Sequence, residues 1–301
     1  MKVNRIGRIW LILFLAVAFL LFHYNLRGPS LAQAASIDFP PTDYVIRSGD
    51  GARAIGHAHF SLERGLDGLC TLHGEYRYFN GDSDIEDDTI RERPGPALPI
   101  FVRSRHTFFN ADGSMDRTGG ADLPAGLGEC TIYKGGVAHT TRTHLDFPPN
   151  TFAGASMIIP VRQYVMSGAV GHVVFHVFNC APNPKVFKIA FLVHPPKPWR
   201  YYPGKLVAVG LKPNFGVLNL IIGPFLPEIS LWLDPGDNWS FVGGKSDRYY
   251  KGITIMLVRD RRKTSKFRPG GPQLGAAVAS PEAAPTLGTK LSEPSPGASA
   301  P

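Results

Sequence analysis

The amino-acid sequence predicts a mainly β protein: a curved antiparallel sheet, a half-barrel, wrapped around one helix. Three observations predict it. Apolar residues recur at every second position in segment after segment, which puts each set on one face of a strand. Turn signals separate these segments at short spacings, which favours antiparallel meanders over strand–helix–strand units. A single stretch, 150–167, changes to helical spacing, and a lone helix among strands must bury its apolar stripe on the sheet.

In chain order, basic Lys2, Arg5 and Arg8 precede an unbroken apolar run from Ile9 to Phe22, and Ala32-Gln33-Ala34 follows. A charged start, a short apolar helix and a small-x-small triplet are the features of a secretory signal. The run spans roughly 21 Å as a helix, short for a bilayer core of about 30 Å. Residues 1–34 are therefore expected to be a signal peptide, or an N-terminal anchor if cleavage fails. Export leaves the protein in the periplasm or an equivalent compartment, where nucleic acid is not an expected partner. Loss of Lys2, Arg5, Arg8 and Arg27 lowers the formal charge from +8 to +4. That mild excess is compatible with an anionic membrane surface.

Residues 35–262 form the expected β-rich domain. Strand candidates are Ile55–Leu62, Leu69–Phe79, Ile100–Phe109, Cys130–Tyr133, Val137–Phe147 and His172–Phe178. They are followed by the alternating sets Phe187/Ile189/Phe191/Val193, Val207/Val209/Leu211, Ile229/Leu231/Leu233 and Ile253/Ile255/Leu257. Asn80-Gly81, Ala111-Asp112-Gly113, Lys134-Gly135-Gly136 and Asp234-Pro235-Gly236-Asp237 supply turns. For the helix, Asn150-Thr151 is the expected cap and Gly168 the expected stop, with Pro160 dividing or kinking it. Residues 263–301 are rich in Pro, Ala, Gly and Ser and are expected to be disordered. Arg259, Arg261, Arg262, Lys263, Lys266 and Arg268 mark the approach to this tail and suit either anionic head groups or plain solvation.

The segment Asp146-Phe147-Pro148-Pro149-Asn150 leads into the helix. Glu228 to Asp234, with Trp232, precedes a Pro-Gly turn, and Lys251 to Val258 is the closing strand. With these features the layout resembles the periplasmic half-barrel class that includes the lipoprotein carriers. It also resembles related bacterial periplasmic domains of unknown function. The resemblance covers about half of the folded part. It implies an apolar cavity between sheet and helix that holds acyl chains. On that basis the candidate ligand-binding residues are Phe152, Met157, Val161, Tyr164, Val165 and Trp232. The chain departs from the class in its length, an acidic insertion and the Pro-rich tail.

Few patterns suggest chemistry. His57 and His59 share a strand face, as do His172 and His176, and paired imidazoles can hold zinc or copper. No third ligand is signalled, so ordinary strand histidines are the plainer reading. Asp82-Ser83-Asp84-Ile85-Glu86-Asp87-Asp88 alternates carboxylates but lacks the Gly and closing Glu of a calcium loop; a solvated loop is expected. Gly154-Ala155-Ser156-Met157-Ile158 fails the nucleophile-elbow pattern. Gly243-Gly244-Lys245-Ser246 lacks the first Gly and the helix of a phosphate loop. Asn238-Trp239-Ser240 fits a glycosylation sequon, relevant in a eukaryotic secretory route alone. Cys70, Cys130 and Cys180 are read either as three small buried residues or as one disulfide with a thiol left over. The apolar run Phe215–Leu226 reads as a strand buried on both faces, or as a segment that lines a cavity mouth or touches a bilayer. Trp199, Tyr201 and Tyr202 form an aromatic cluster beside it.

The expected function is an exported cell-envelope protein binding a lipid or other apolar small molecule, without catalysis and with no cofactor. The alternative is a structural scaffold that contacts another envelope protein. A metal-dependent hydrolase built on the His pairs is a third reading.

Overall fold

A computed structural model describes residues 37–93, 98–167, 172–180, 183–214, 229–248 and 253–261, with the backbone alone at 172–174. The expected signal, the 215–226 run, Gly168 and the tail lie outside the described residues. The described residues all belong to one compact unit.

Sixteen strands are described. They are β1 Thr42–Ser48, β2 Ala54–Arg64, β3 Leu69–Tyr78, β4 Ser83–Arg91, β5 Ile100–Phe109, β6 Met115–Asp122, β7 Leu127–Lys134 and β8 Val137–His144. After them come β9 Thr151–Phe152, β10 His172–Cys180, β11 Pro184–Val193, β12 Lys197–Trp199, β13 Tyr202–Pro213, β14 Ile229–Asp234, β15 Ser240–Arg248 and β16 Ile253–Arg259. They form one sheet, ordered β8-β7-β6-β5-β4-β3-β2-β1-β16-β15-β14-β13-β11-β10-β9, with β12 attached to β13. Neighbours are antiparallel except β9, which runs parallel to β10 through His176 and Val177. The expected fold class is therefore present: a large, curved, unclosed antiparallel sheet with one α-helix among the described residues, α1, Ile158–Met166.

The curvature follows from where the apolar faces meet. β7 and β10 stand near opposite ends of the sheet path, yet Cys130 on β7 is bonded to Cys180 on β10, their Cα atoms 5.7 Å apart. Cys70 is the free, buried cysteine. Phe101 on β5 lies 6.5 Å from Phe152 on β9, and Phe152 lies 6.0 Å from Phe175 on β10. The two halves thus share one core, and the sheet must roll to let them. Glycines permit the closest approach. A Cβ at Gly119 of β6 would stand 3.0 Å from the Cβ of Cys180. One at Gly128 of β7 would stand 2.7 Å from Pro184 and 2.9 Å from the ring of Phe178.

The helical segment departs from its expected form. Thr151 and Phe152 are strand, not helix cap, because Phe152 is drawn into the core at 1% exposure. A 3-10 turn over Gly154–Met157 comes next, and α1 starts only at Ile158 with no side-chain cap. Pro160 therefore sits in the first turn of α1. Its missing N–H is one of the donors that lack an intrahelical partner there, so the helix neither kinks nor breaks. Ile158, Ile159, Val161 and Val165 are buried against the inner face of the sheet.

Six strands escape the alternation pattern: β1, β4, β6, β9, β12 and β15. In β15, Gly243-Gly244 serves close backbone packing, not phosphate binding. A Cβ on Gly243 would meet the Trp199 ring at 2.6 Å, and one on Gly244 would meet Leu231 at 3.2 Å. The largest correction concerns residues 82–88. They are not a solvated loop: Ser83–Arg91 is a central strand, paired on both sides by β3 and β5. Asp84, Glu86, Asp88 and Ile90 point inward and are buried, while Ile85, Asp87 and Thr89 are only partly covered on the other face.

Candidate functional site: an acidic-walled cavity inside the sheet

Charged groups rarely point into a β core, since an unpaired buried charge is costly. Here three carboxylates do so from one strand, and each has found partners. Asp84 accepts from Arg248 of β15, Nη2 to Oδ1 at 2.9 Å and Nε to Oδ2 at 3.3 Å, and from the Tyr78 hydroxyl at 3.0 Å. Arg248 also donates through Nη1 to Asp82 at 3.0 Å, and its guanidinium lies 3.8 Å from the centroid of the Tyr78 ring. Glu86 accepts the Ala155 N–H at 2.9 Å and the Tyr76 hydroxyl at 3.3 Å. Asp88 accepts the Ser156 N–H at 2.9 Å.

These bonds fasten the 3-10 turn to the sheet. Backbone N–H groups at the start of a helical segment are natural partners for carboxylates. Gly154 has φ +46°, and a Cβ there would fall within the Glu86 carboxylate. Glycine is thus required at 154 for both its backbone conformation and its lack of side chain.

A cavity of about 160 Å3 lies beside this cluster. Gly74 of β3 stands between Phe60 of β2 and Glu86 of β4 in the cross-strand register, and the Phe60 and Tyr76 rings close over it. One side is apolar, with Phe60, Met157, Ile158, Leu211 and Leu231; the other carries Tyr76, Asp84, Glu86, His106 and Arg248. His106, opposite Glu86 on β5, is stacked on Phe108 at 4.2 Å and on Tyr76 at 6.3 Å.

Burial dominates the protonation behaviour. Desolvation, then the neighbouring Asp88 charge, pushes the Glu86 carboxyl well above its ordinary range. Desolvation raises Asp88 to about 7, against the pull of its hydrogen bonds to Ser104 and Ser156. For His106, desolvation and then the Arg248 charge push the imidazole down to about 3, so it is neutral. Desolvation, then the Glu86 charge, raises the Tyr76 hydroxyl. The wall therefore holds one neutralised ion pair and several uncharged hydrogen-bonding groups.

Of the residues chosen from sequence, Met157 borders this cavity. Phe152, Val161 and Val165 lie in the common core, and Tyr164 packs at its edge, 6.5 Å from Phe191. Trp232 is elsewhere. It belongs to a second apolar cluster with Tyr202, Leu206, Ala208 and Val242, and stacks on Trp199 at 4.3 Å. The histidines do not converge. His57 packs edge-on to Phe79, His59 bonds Asp43 through Nδ1 at 2.9 Å, and His176 faces the Pro149 carbonyl at 3.3 Å. The His172 side chain lies outside the described residues. Among the described residues, no group of three or more His, Cys, Asp or Glu is arranged to hold a metal ion.

Sequence reasoning missed Glu86, Asp88, His106 and Arg248 as site residues. The available signal was the parity of Asp84, Glu86 and Asp88, which matches that of Ile90 on the same strand.

No protein-family model matches the chain, and no curated protein matches it. One solved structure with a similar layout is a β-barrel-like protein of the domain of unknown function DUF1849 from Brucella abortus. It is 11% identical, with a TM-score of 0.43, over 73% of this chain and 94% of that one.

Proposed function

We propose that this chain is an exported, barrel-like binding protein of the cell envelope, whose interior cavity takes a small ligand with an apolar body and performs no catalytic step. The observation that carries this reading is the cavity of about 160 Å3 between the sheet and the 3-10 turn. Well-packed cores leave few voids larger than a water molecule. An apolar cavity of about 150 Å3 engineered into another protein binds benzene. The space here suits one ring or a short chain segment, so a long lipid would enter by part of its tail only. Two features support export: the N-terminal basic and apolar pattern at residues 2–34, and the Cys130–Cys180 disulfide, a bond that persists in oxidising compartments. N-terminal sequencing of protein recovered from the envelope fraction tests that part.

The binding part is tested on the purified full chain by native mass spectrometry and solvent extraction, followed by thermal unfolding with toluene and benzyl alcohol. A released apolar molecule, or a rise in Tm with either probe, is the expected result. An empty extract together with no shift from either probe overturns the reading.

One observation favours the scaffold as a second reading. β8 ends the sheet path, pairs with β7 alone, and is exposed at every position but Thr143. Such an edge offers unpaired backbone groups to another strand. Recovery of a stoichiometric envelope partner by the wild-type chain, lost on Thr141→Pro, would select it.

A further inference from the structure

The cavity wall also specifies the polar end of a ligand, on the reading that the cavity is a binding site. Arg248 is the natural receptor for a carboxylate or phosphate head, but it is already committed. Its Nη1 serves Asp82, its Nη2 and Nε serve Asp84, and its face covers Tyr78. An anionic head would have to displace two carboxylates from a side chain that is 6% exposed, and then sit beside them. Glu86 is different. It lines the cavity at 2% exposure, and its partners, the Ala155 N–H and the Tyr76 hydroxyl, are both neutral. Among the described residues no cation serves it.

The rest of the wall suits a positive charge. Phe60 and Tyr76 meet edge to face at 5.4 Å, and Tyr76, His106 and Phe108 form a stack that includes the residue opposite Glu86. Aromatic faces attract cations, most strongly where water is excluded. The same wall shows this attraction within the protein, where the Arg248 guanidinium lies over Tyr78. The geometry points to a small organic cation as the ligand class: a primary or substituted ammonium on an apolar body, with its charge against Glu86 and the rings and its body against Met157, Leu211 and Leu231. Burial favours the protonated form of the Glu86 carboxyl, and an ammonium beside it favours the ionised form. Entry of the ammonium forms the ion pair, and any proton that Glu86 carries in the empty cavity leaves to solvent.

Three probes of one shape separate this from the parent reading: benzylammonium, benzyl alcohol and benzoate, titrated calorimetrically into the full chain. The inference expects benzylammonium to bind at least tenfold more tightly than benzyl alcohol, with an enthalpy that varies with the buffer's ionisation enthalpy, and benzoate to bind least. Glu86→Gln, which keeps the shape, is expected to bring benzylammonium down to the level of benzyl alcohol while benzyl alcohol still binds. Tyr76→Phe serves as the second variant if Glu86→Gln does not fold, and should weaken benzylammonium selectively. Benzyl alcohol or benzoate binding as tightly as benzylammonium overturns the inference and leaves the cavity reading standing. No binding by any of the three overturns the inference, and the cavity reading falls with it where the extract is also empty and toluene gives no shift.

Discussion

Asp88 and His106 show how two buried groups in one site can pull stability in opposite directions with pH. Asp88 holds its proton up to about 7 in the folded chain, far above the ordinary carboxylate value of 3.8. Its contribution is full below about pH 4 and is lost as pH rises through about 7. His106 is depressed from 6.5 to about 3, so its contribution is present above pH 6.5 and lost as pH falls toward 3. Each slope reaches about 1.4 kcal/mol per pH unit between pH 4 and 6.5, and the Glu86 shift acts on the side of Asp88. Asp88→Asn should therefore make stability climb more steeply with pH across this window than in the wild type. His106→Phe should make it fall. Urea midpoints taken at each pH check both, and an unchanged profile in Asp88→Asn would mean that Asp88 titrates as an ordinary carboxylate. The Arg248 pair gives a second test. Arg248→Met strands Asp84 at 2% exposure and should cost about 3–5 kcal/mol. Adding Asp84→Asn should recover part of that loss.

At the scale of elements, β4 and the 3-10 turn form a unit that neither makes alone. The turn lacks a side-chain cap of its own, and two carboxylates from β4 supply the missing acceptors. Gly154→Ala would force a side chain into the Glu86 carboxylate at a backbone angle that alanine rarely adopts. A loss of ~2–4 kcal/mol in urea unfolding is expected; a neutral effect would show that the turn can move off β4. Strands whose inward positions are apolar were legible from sequence, as Val207, Val209 and Leu211 show by lying buried in β13. β4 was not, because its buried face is written in carboxylates that composition assigns to solvent. β6 and β15 were hidden by glycines, which are poor strand formers but allow close backbone contact. The helix start was misread for a related reason. Asn150-Thr151 is a sound capping pair locally, yet the core's demand for Phe152 outweighs it.

Across the whole described unit, the rolled sheet depends on contacts between strands far apart in its order. The Cys130–Cys180 bond joins residues 50 apart in sequence, and a loop of that length implies about 4 kcal/mol of stabilisation on the chain-entropy account. Replacing both cysteines by alanine should lower unfolding stability by that order, and a reductant should lower the Tm of the wild type but not of the variant. If the cysteine-free chain loses probe binding while remaining folded, the seam holds the cavity in shape. If binding persists, the Glu86–Ala155 and Asp88–Ser156 bonds suffice.

Sequence alone determined the β class, most strand positions, the one α-helix of the described residues and the basic, apolar N-terminal pattern. All of these are written in short-range periodicity, set by whether side chains alternate or spiral. The tertiary structure decided which cysteines pair, that the acidic stretch is a central strand, and that the cavity has a carboxylate wall. The physical reason is burial. A carboxylate is stable inside only when distant partners, here Arg248, Tyr76 and the 154–157 turn, are brought to it by the rolled sheet.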